Sequence, residues 1–387
     1  MRHAYVADRV FTSEGIETNL AVVVENGKIA ELTRHIPSDC EVTYLAGQSL
    51  LPGFIDIHIH GRNGFDVMDA TDEALDGISA ALPQTGVVAW VGTTVTAPWS
   101  DITDALSQIK GYVAERPLAS CQVGAELLGS FLEGPYFTEP YRGSHPPAYL
   151  KPATISELEQ LLEAGGDSLI RAAVAPEAPM AMEAIRWLTT HGVKTSVAHT
   201  EATFAQVTEA YQLGADCGVH LFNGMRGLHH REPGCTGAVL YHDMLAELIA
   251  DGVHVDPVMM QLAYRMKGYQ RIALITDCMR AGGLDDGEYP FGAQTITVTN
   301  GEARSPCGSL AGSTCSLDQA LRNMIFHSQV PEWEAVQMAS AVPAQYLGLS
   351  DRLGSIAVGM DASFTVVNDQ FEIQATSVFG GWAYQKS

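Results

Sequence analysis

Six residues of this 387-residue chain can bind a metal or move a proton, and they fall in matching places: His58, His60, Glu133, His199, His220 and Asp277. Each stands at or just past the end of an apolar run of strand length, in GFIDIHIH, AELLGSFLEG, VKTSVAHT, CGVHLFNG and RIALITDC; His254 does the same in LAELIADGVHV. His58 and His60 are spaced i, i+2, which in a strand sends both imidazoles to one side, where they can chelate. Alone, such a pair could equally be two buried, hydrogen-bonded histidines. Glu133, His199 and His220 add three N/O donors and leave a coordination position for water, the composition of a catalytic zinc-type site. Asp277 can ligate a cation or take the proton that an attacking water must lose.

Residues separated by some 200 positions meet only if the elements carrying them share a face. From Leu50 to about Cys315, eight apolar strand candidates alternate with amphipathic stretches such as TISELEQLLEAGG and MAMEAIRWLTTHG, the pattern of repeated βα units. Eight units predict an α/β fold of the (β/α)₈ barrel type, whose active sites lie where the strands end. An open doubly wound sheet would carry a glycine-rich phosphate loop after its first strand, and GxGxxG is absent there. Both chain ends differ in rhythm. Residues 4–31 alternate polar and apolar with Asn26-Gly27 at a tight turn, and the C-terminal stretch returns to that character. The expectation is a small β-sandwich domain from residues 1–50 and 345–387 beside a barrel of 51–344. The segment EYPFGAQTITVTNGEARS, with its own Asn300-Gly301 turn, reads as an inserted flap or edge element.

Composition excludes several functions. Lys and Arg number 22 against 45 Asp and Glu, a formal charge of -23, so neither nucleic acid nor an anionic membrane is an expected partner. Hydrophobic residues make up 46 %, and no apolar run approaches the length of a membrane span. The N-terminus shows no export signal, which predicts the cytoplasm. Seven scattered cysteines without a C-x-x-C pair (Cys40, Cys121, Cys217, Cys235, Cys278, Cys307 and Cys315) read mostly as small buried hydrophobes, with Cys278 notable for following Asp277.

The LPGFIDIHIHG opening, the later strand-end histidines and the terminal TD resemble the amidohydrolase superfamily. More narrowly, LEGPYF, SHPP, HLFNGM, HHREPG, IADGVHV, LITDCMRAGG and SLAGST resemble the N-acetylhexosamine-6-phosphate deacetylases. The resemblance implies that Glu133, His199 and His220 hold a divalent metal and that Asp277 is general base and acid. It implies one or two metals per subunit, with zinc the first choice and iron, cobalt or manganese the alternatives. The second would sit at His58 and His60, which some relatives lack, and would be bridged through Glu133. It places His145, Asn223, Gly224, Arg231, His254 and the loop of Leu310, Ala311 and Gly312 around an amino-sugar phosphate, and implies a homodimer with a shared active site. His229 and His230 read as loop residues. Two other readings stay open: an amidohydrolase acting on a different amide, such as a cyclic amide or an N-acyl amino acid, and a non-catalytic scaffold relative.

Overall fold

The computed structural model describes residues 2–116 and 124–387; Cys121 lies outside the described residues. Eight parallel strands form one sheet in sequential order: Phe54–Ile59, Val87–Thr93, Glu126–Leu132, Leu169–Val174, Lys194–Val197, Ala215–Gly218, Leu245–Ile249 and Ile272–Ile275. Between them run the helices Asp72–Ala81, Trp99–Glu115, Ile155–Gly165, Ala181–Thr190, Phe204–Gln212, Gly234–Tyr241 and Pro257–Lys267. The first, second, third and seventh strands are buried along nearly their whole length. That burial explains why they read as apolar runs without alternation. Thr71, Thr154 and Thr203 cap helices by accepting backbone N–H bonds, from Ala74, Glu157 and Gln206.

The barrel closes just beyond the eighth strand. Asp277 N–H donates to His58 O at 2.9 Å, and His60 N–H donates to Cys278 O at 2.9 Å, with Ile59 and Cys278 forming a parallel bridge. Closure therefore also seats Asp277 beside the histidine pair. Cys278 itself is fully buried in the core, and burial raises its thiol to about 11, which keeps it protonated at neutral pH.

A second eight-stranded sheet joins the two chain ends. Glu41–Pro52 pairs in parallel with Arg2–Thr12 and antiparallel with Phe364–Val367, which continues into Ile373–Val378 and Gly381–Gln385. Tyr5, Phe364 and Trp382 meet edge to face in its core. The Asn26-Gly27 turn has φ of +50° and +75°, as a type I′ turn requires. The inserted segment forms a three-stranded antiparallel sheet, Gly287–Phe291, Gln294–Thr299 and Glu302–Arg304, turning at Asn300-Gly301. Its apolar face packs on Val95, Met279 and Ala311. Among the described residues no helix is long and apolar enough to cross a membrane.

Candidate active site

One cavity of about 240 Å³ opens where the barrel strands end, lined by His60, Glu133, His145, His199, His220, His254 and Asp277 among others. Glu133 is its centre. Its Oε2 lies 3.2 Å from His60 Nε2 and 3.4 Å from His58 Nε2; its Oε1 lies 3.1 Å from His220 Nε2 and 3.4 Å from His199 Nε2. Asp277 Oδ1 faces the first pair, 3.0 Å from His60 Nε2 and 3.4 Å from His58 Nε2.

The outward ring nitrogens of all four histidines are engaged. Nδ1–H donates to Glu247 Oε2 from His58, to Thr93 O from His60, to Tyr141 O from His199 and to Asn223 O from His220, at 2.9–3.1 Å. This fixes one tautomer throughout and leaves four Nε2 lone pairs converging on two carboxylates. The Nε2 atoms of His199 and His220 are 3.2 Å apart, a placement that is repulsive without a proton or cation nearby, and buried His58 Nε2 has no hydrogen-bond partner. Two overlapping groups, His58, His60, Glu133, Asp277 and Glu133, His145, His199, each bring their donor atoms within 4.8 Å of one another. The residues present fit a divalent cation.

Electrostatics agree. Burial alone would raise the Glu133 carboxyl, but positive charge on His58 and Nε2 protons on His199 and His220, which stand where a cation would, draw it well below the ordinary carboxylate range. Against the same burial, His58 and His60 hold Asp277 at about 2. Burial, reinforced by His199, holds His145 well below the usual imidazole range and so keeps it neutral.

Backbone geometry aims these groups. His199, His220 and Asp277 have φ of +44°, +34° and +50°, a left-handed conformation that non-glycine residues rarely adopt and that costs of order 1–3 kcal/mol each. Each lies two residues past its strand, so the twist redirects the side chain across the barrel mouth.

The other expected residues separate. His145, Asn223, Gly224, His254, Leu310 and Gly312 line the cavity. Ala311 does not; it is fully buried in the core of the inserted sheet. Arg231 also does not: it is exposed, its guanidinium donates to His230 and its backbone N–H to His229. Among the described residues no Lys or Arg lines the cavity.

Several participants escaped sequence reasoning. Thr96 holds His145 Nδ1 at 2.8 Å, Asp251 accepts from His254 Nδ1 at 2.7 Å, and Phe291 of the inserted sheet covers His60 with ring centres 5.1 Å apart. Glu247 and Arg171 were legible only as charged residues inside apolar strands, LAELI and LIRAAV.

The amidohydrolase family model matches residues 49–383. The chain is 40% identical to the N-acetylglucosamine-6-phosphate deacetylase of Vibrio furnissii over 98% of this chain and 94% of that protein. It is 41% identical to the N-acetylgalactosamine-6-phosphate deacetylase of Escherichia coli O157:H7, over 98% and 99%. A solved structure of a substituted N-acetyl-D-glucosamine-6-phosphate deacetylase from Mycobacterium smegmatis, in complex with N-acetyl-D-glucosamine-6-phosphate, superposes with a TM-score of 0.93 at 30% identity, covering 99% of this chain and all of that one. By sequence, fold and the donors gathered at its strand ends, the chain belongs to the amidohydrolase family, on the branch of the N-acetylhexosamine-6-phosphate deacetylases.

Proposed function

We infer that the protein hydrolyses the acetamide of N-acetylglucosamine-6-phosphate, N-acetylgalactosamine-6-phosphate or both, releasing acetate and the amino-sugar 6-phosphate for amino-sugar catabolism. The observation that carries this reading is the convergence of four Nε2 atoms on Glu133 beside Asp277, in a cavity sized for a small polar metabolite.

Glu133, His199 and His220 would hold one divalent cation, and His58 and His60 together with Glu133 could hold a second; zinc suits these donors, as do iron, cobalt and manganese. Such a cation polarises the amide carbonyl and makes water acidic enough to react near neutral pH. Asp277, ionised at neutral pH, accepts the proton of the attacking water and returns it to the leaving amine nitrogen. Neutral His145, held at Nδ1 by Thr96 and with Nε2 facing the site beside His199, would donate from Nε2 to the oxyanion that develops on the carbonyl oxygen. Asn223, Gly224, His254, Leu310 and Gly312 contact the sugar. The catalytic unit is the barrel of residues 51–344, and the chain ends, 1–50 and 345–387, form the accessory β domain. Six free cysteines among the described residues suit a reducing, cytoplasmic compartment.

The phosphate calls for a cationic side chain, and among the described residues no Lys or Arg lines the cavity. Arg231 on an exposed loop offers a planar fork of donors, and the helix Pro257–Lys267 exposes Val258, Leu262 and Met266 along one face. Both features support a homodimer in which Arg231 of each subunit reaches the phosphate in the other. Arg231→Ala is expected to raise KM about tenfold or more, the loss of a charge-assisted contact, with metal content unchanged. Mixing Arg231→Ala with Asp277→Asn protein under subunit exchange should regain activity, because a mixed dimer contains one intact site; no regain would remove the shared site.

Gly224 offers a separate check. A Cβ there would lie 2.7 Å from His199 Nδ1, at a φ of +58°. Gly224→Ala should therefore displace the imidazole and weaken metal binding about tenfold or more, measured by competition with a chromogenic chelator.

The decisive assay is acetate release from N-acetylglucosamine-6-phosphate, N-acetylgalactosamine-6-phosphate and unphosphorylated N-acetylglucosamine side by side. Turnover confined to the phosphorylated sugars is expected and reveals the preference at C4. No turnover of any of the three overturns the reading.

A further inference from the structure

Two charged residues sit inside the barrel and take no part in lining the cavity. Glu247 on the seventh strand and Arg171 on the fourth are each fully buried. Burying such a pair is often no better for stability than apolar side chains of the same volume, so stability alone does not account for it.

Their bonds run in one direction. Arg171 donates from Nη1 to Ile57 O at 2.6 Å and from Nη2 to Glu247 Oε1 at 2.5 Å, and its guanidinium lies 4.1 Å from the centre of the Phe131 ring. The arginine is thus anchored to the first strand, the seventh strand and the aromatic floor beneath the site. It engages one oxygen of Glu247. The other, Oε2, accepts from His58 Nδ1 at 3.0 Å and faces the backbone N–H of His220 at 3.4 Å. The His58 ring stands edge to face on Phe131 with centres 5.1 Å apart. Held at Nδ1 and along its edge, His58 cannot flip, and its Nε2 faces Glu133 Oε2 and Asp277 Oδ1, both at 3.4 Å.

We propose that Glu247, clamped by Arg171, is the positioning residue that orients His58, so that its Nε2 lone pair addresses the space between Glu133 and Asp277 and the His58–His60 half of the site is preorganised for a second cation. The proposal rests on the metal-dependent reading above. Histidines that bind metals characteristically donate their other ring N–H to a carboxylate, and losing that partner weakens the metal about 10- to 100-fold.

The test must separate orientation from mere filling of the barrel. Removing one member of the pair strands a buried charge, so the comparison is made in an Arg171→Met background with Glu247→Gln in one protein and Glu247→Leu in the other. The two have nearly equal side-chain volume and no buried charge, and differ in whether position 247 can accept from His58 Nδ1. Metal-free protein is titrated with Co²⁺ alone, following visible absorption and bound equivalents, with thermal unfolding as the check on the fold. The expected result is similar unfolding midpoints, an unchanged first equivalent, and a second equivalent bound about 10- to 100-fold more weakly by the Leu protein than by the Gln protein. Second equivalents within twofold of each other overturn the proposal, as does wild-type protein that takes up a single equivalent. If either double variant fails to fold, Glu247→Asp keeps the charge against Arg171 while withdrawing from His58, and the same selective loss of the second equivalent is expected. Acetate release measured alongside keeps the two readings apart. Protein that releases acetate with one cation loses this proposal and keeps its function; protein that binds two cations and releases no acetate does the reverse.

Discussion

Asp277→Asn protein is expected to fold, bind metal and turn over about 10²- to 10⁴-fold more slowly than wild type, the usual contribution of a positioned proton-transfer group. The fold survives because the backbone does the structural work at this position: Asp277 N–H donates to His58 O, and its own carbonyl accepts from Ser313 N–H at 2.7 Å. Asparagine also tolerates the left-handed φ of +50°. What it cannot do is take a proton from water and give it back to an amine. The loss should fall on kcat and kcat/KM alike, since the proton moves only as the reaction proceeds. Acetate release under saturating and limiting substrate measures both, with metal content and the unfolding midpoint as controls. Turnover within threefold of wild type would take Asp277 out of the proton transfer.

Glu133→Gln should be at least as damaging, by a different route. The residue is 2 % exposed and each carboxylate oxygen serves two imidazoles, one pair on either side, so this one side chain faces both halves of the site at their Nε2 atoms. Glutamine preserves the volume but supplies no negative charge to balance a dication. A cation at such a site contributes several kcal/mol of transition-state stabilisation, so turnover is expected to fall more than about 10³-fold together with metal content after dialysis. Retention of full metal content would show that the histidines alone hold the cation. Loss of turnover with metal retained would instead assign Glu133 to catalysis directly. The two substitutions thus differ in their controls: Asp277→Asn is expected to keep the metal and Glu133→Gln to give it up.

The sequence by itself determined the elements and their order. Eight apolar runs, their amphipathic partners and the Asn-Gly turns at 26–27 and 300–301 are local patterns, set by side-chain periodicity and by φ preferences that act within a few residues. The donors His58, His60, Glu133, His199, His220 and Asp277 were legible for the same reason: each ends a strand, and parallel barrels present strand ends on one face. Tertiary structure alone decided how those donors are held. Glu247 meets His58 across 189 residues and Arg171 across 76, and Thr96 meets His145 across 49, contacts that exist only once the barrel has closed. The inserted sheet likewise read as a flap without revealing that Phe291 would cover His60, and Ala311 read as a sugar contact before packing placed it in that sheet's core. Arg231 likewise read as a ligand contact, whereas in the folded chain it is exposed and lies outside the cavity lining. Periodicity is a property of neighbours along the chain, whereas orientation of a buried polar group is set by whichever distant partner satisfies its hydrogen bonds, and only closure of the barrel selects that partner.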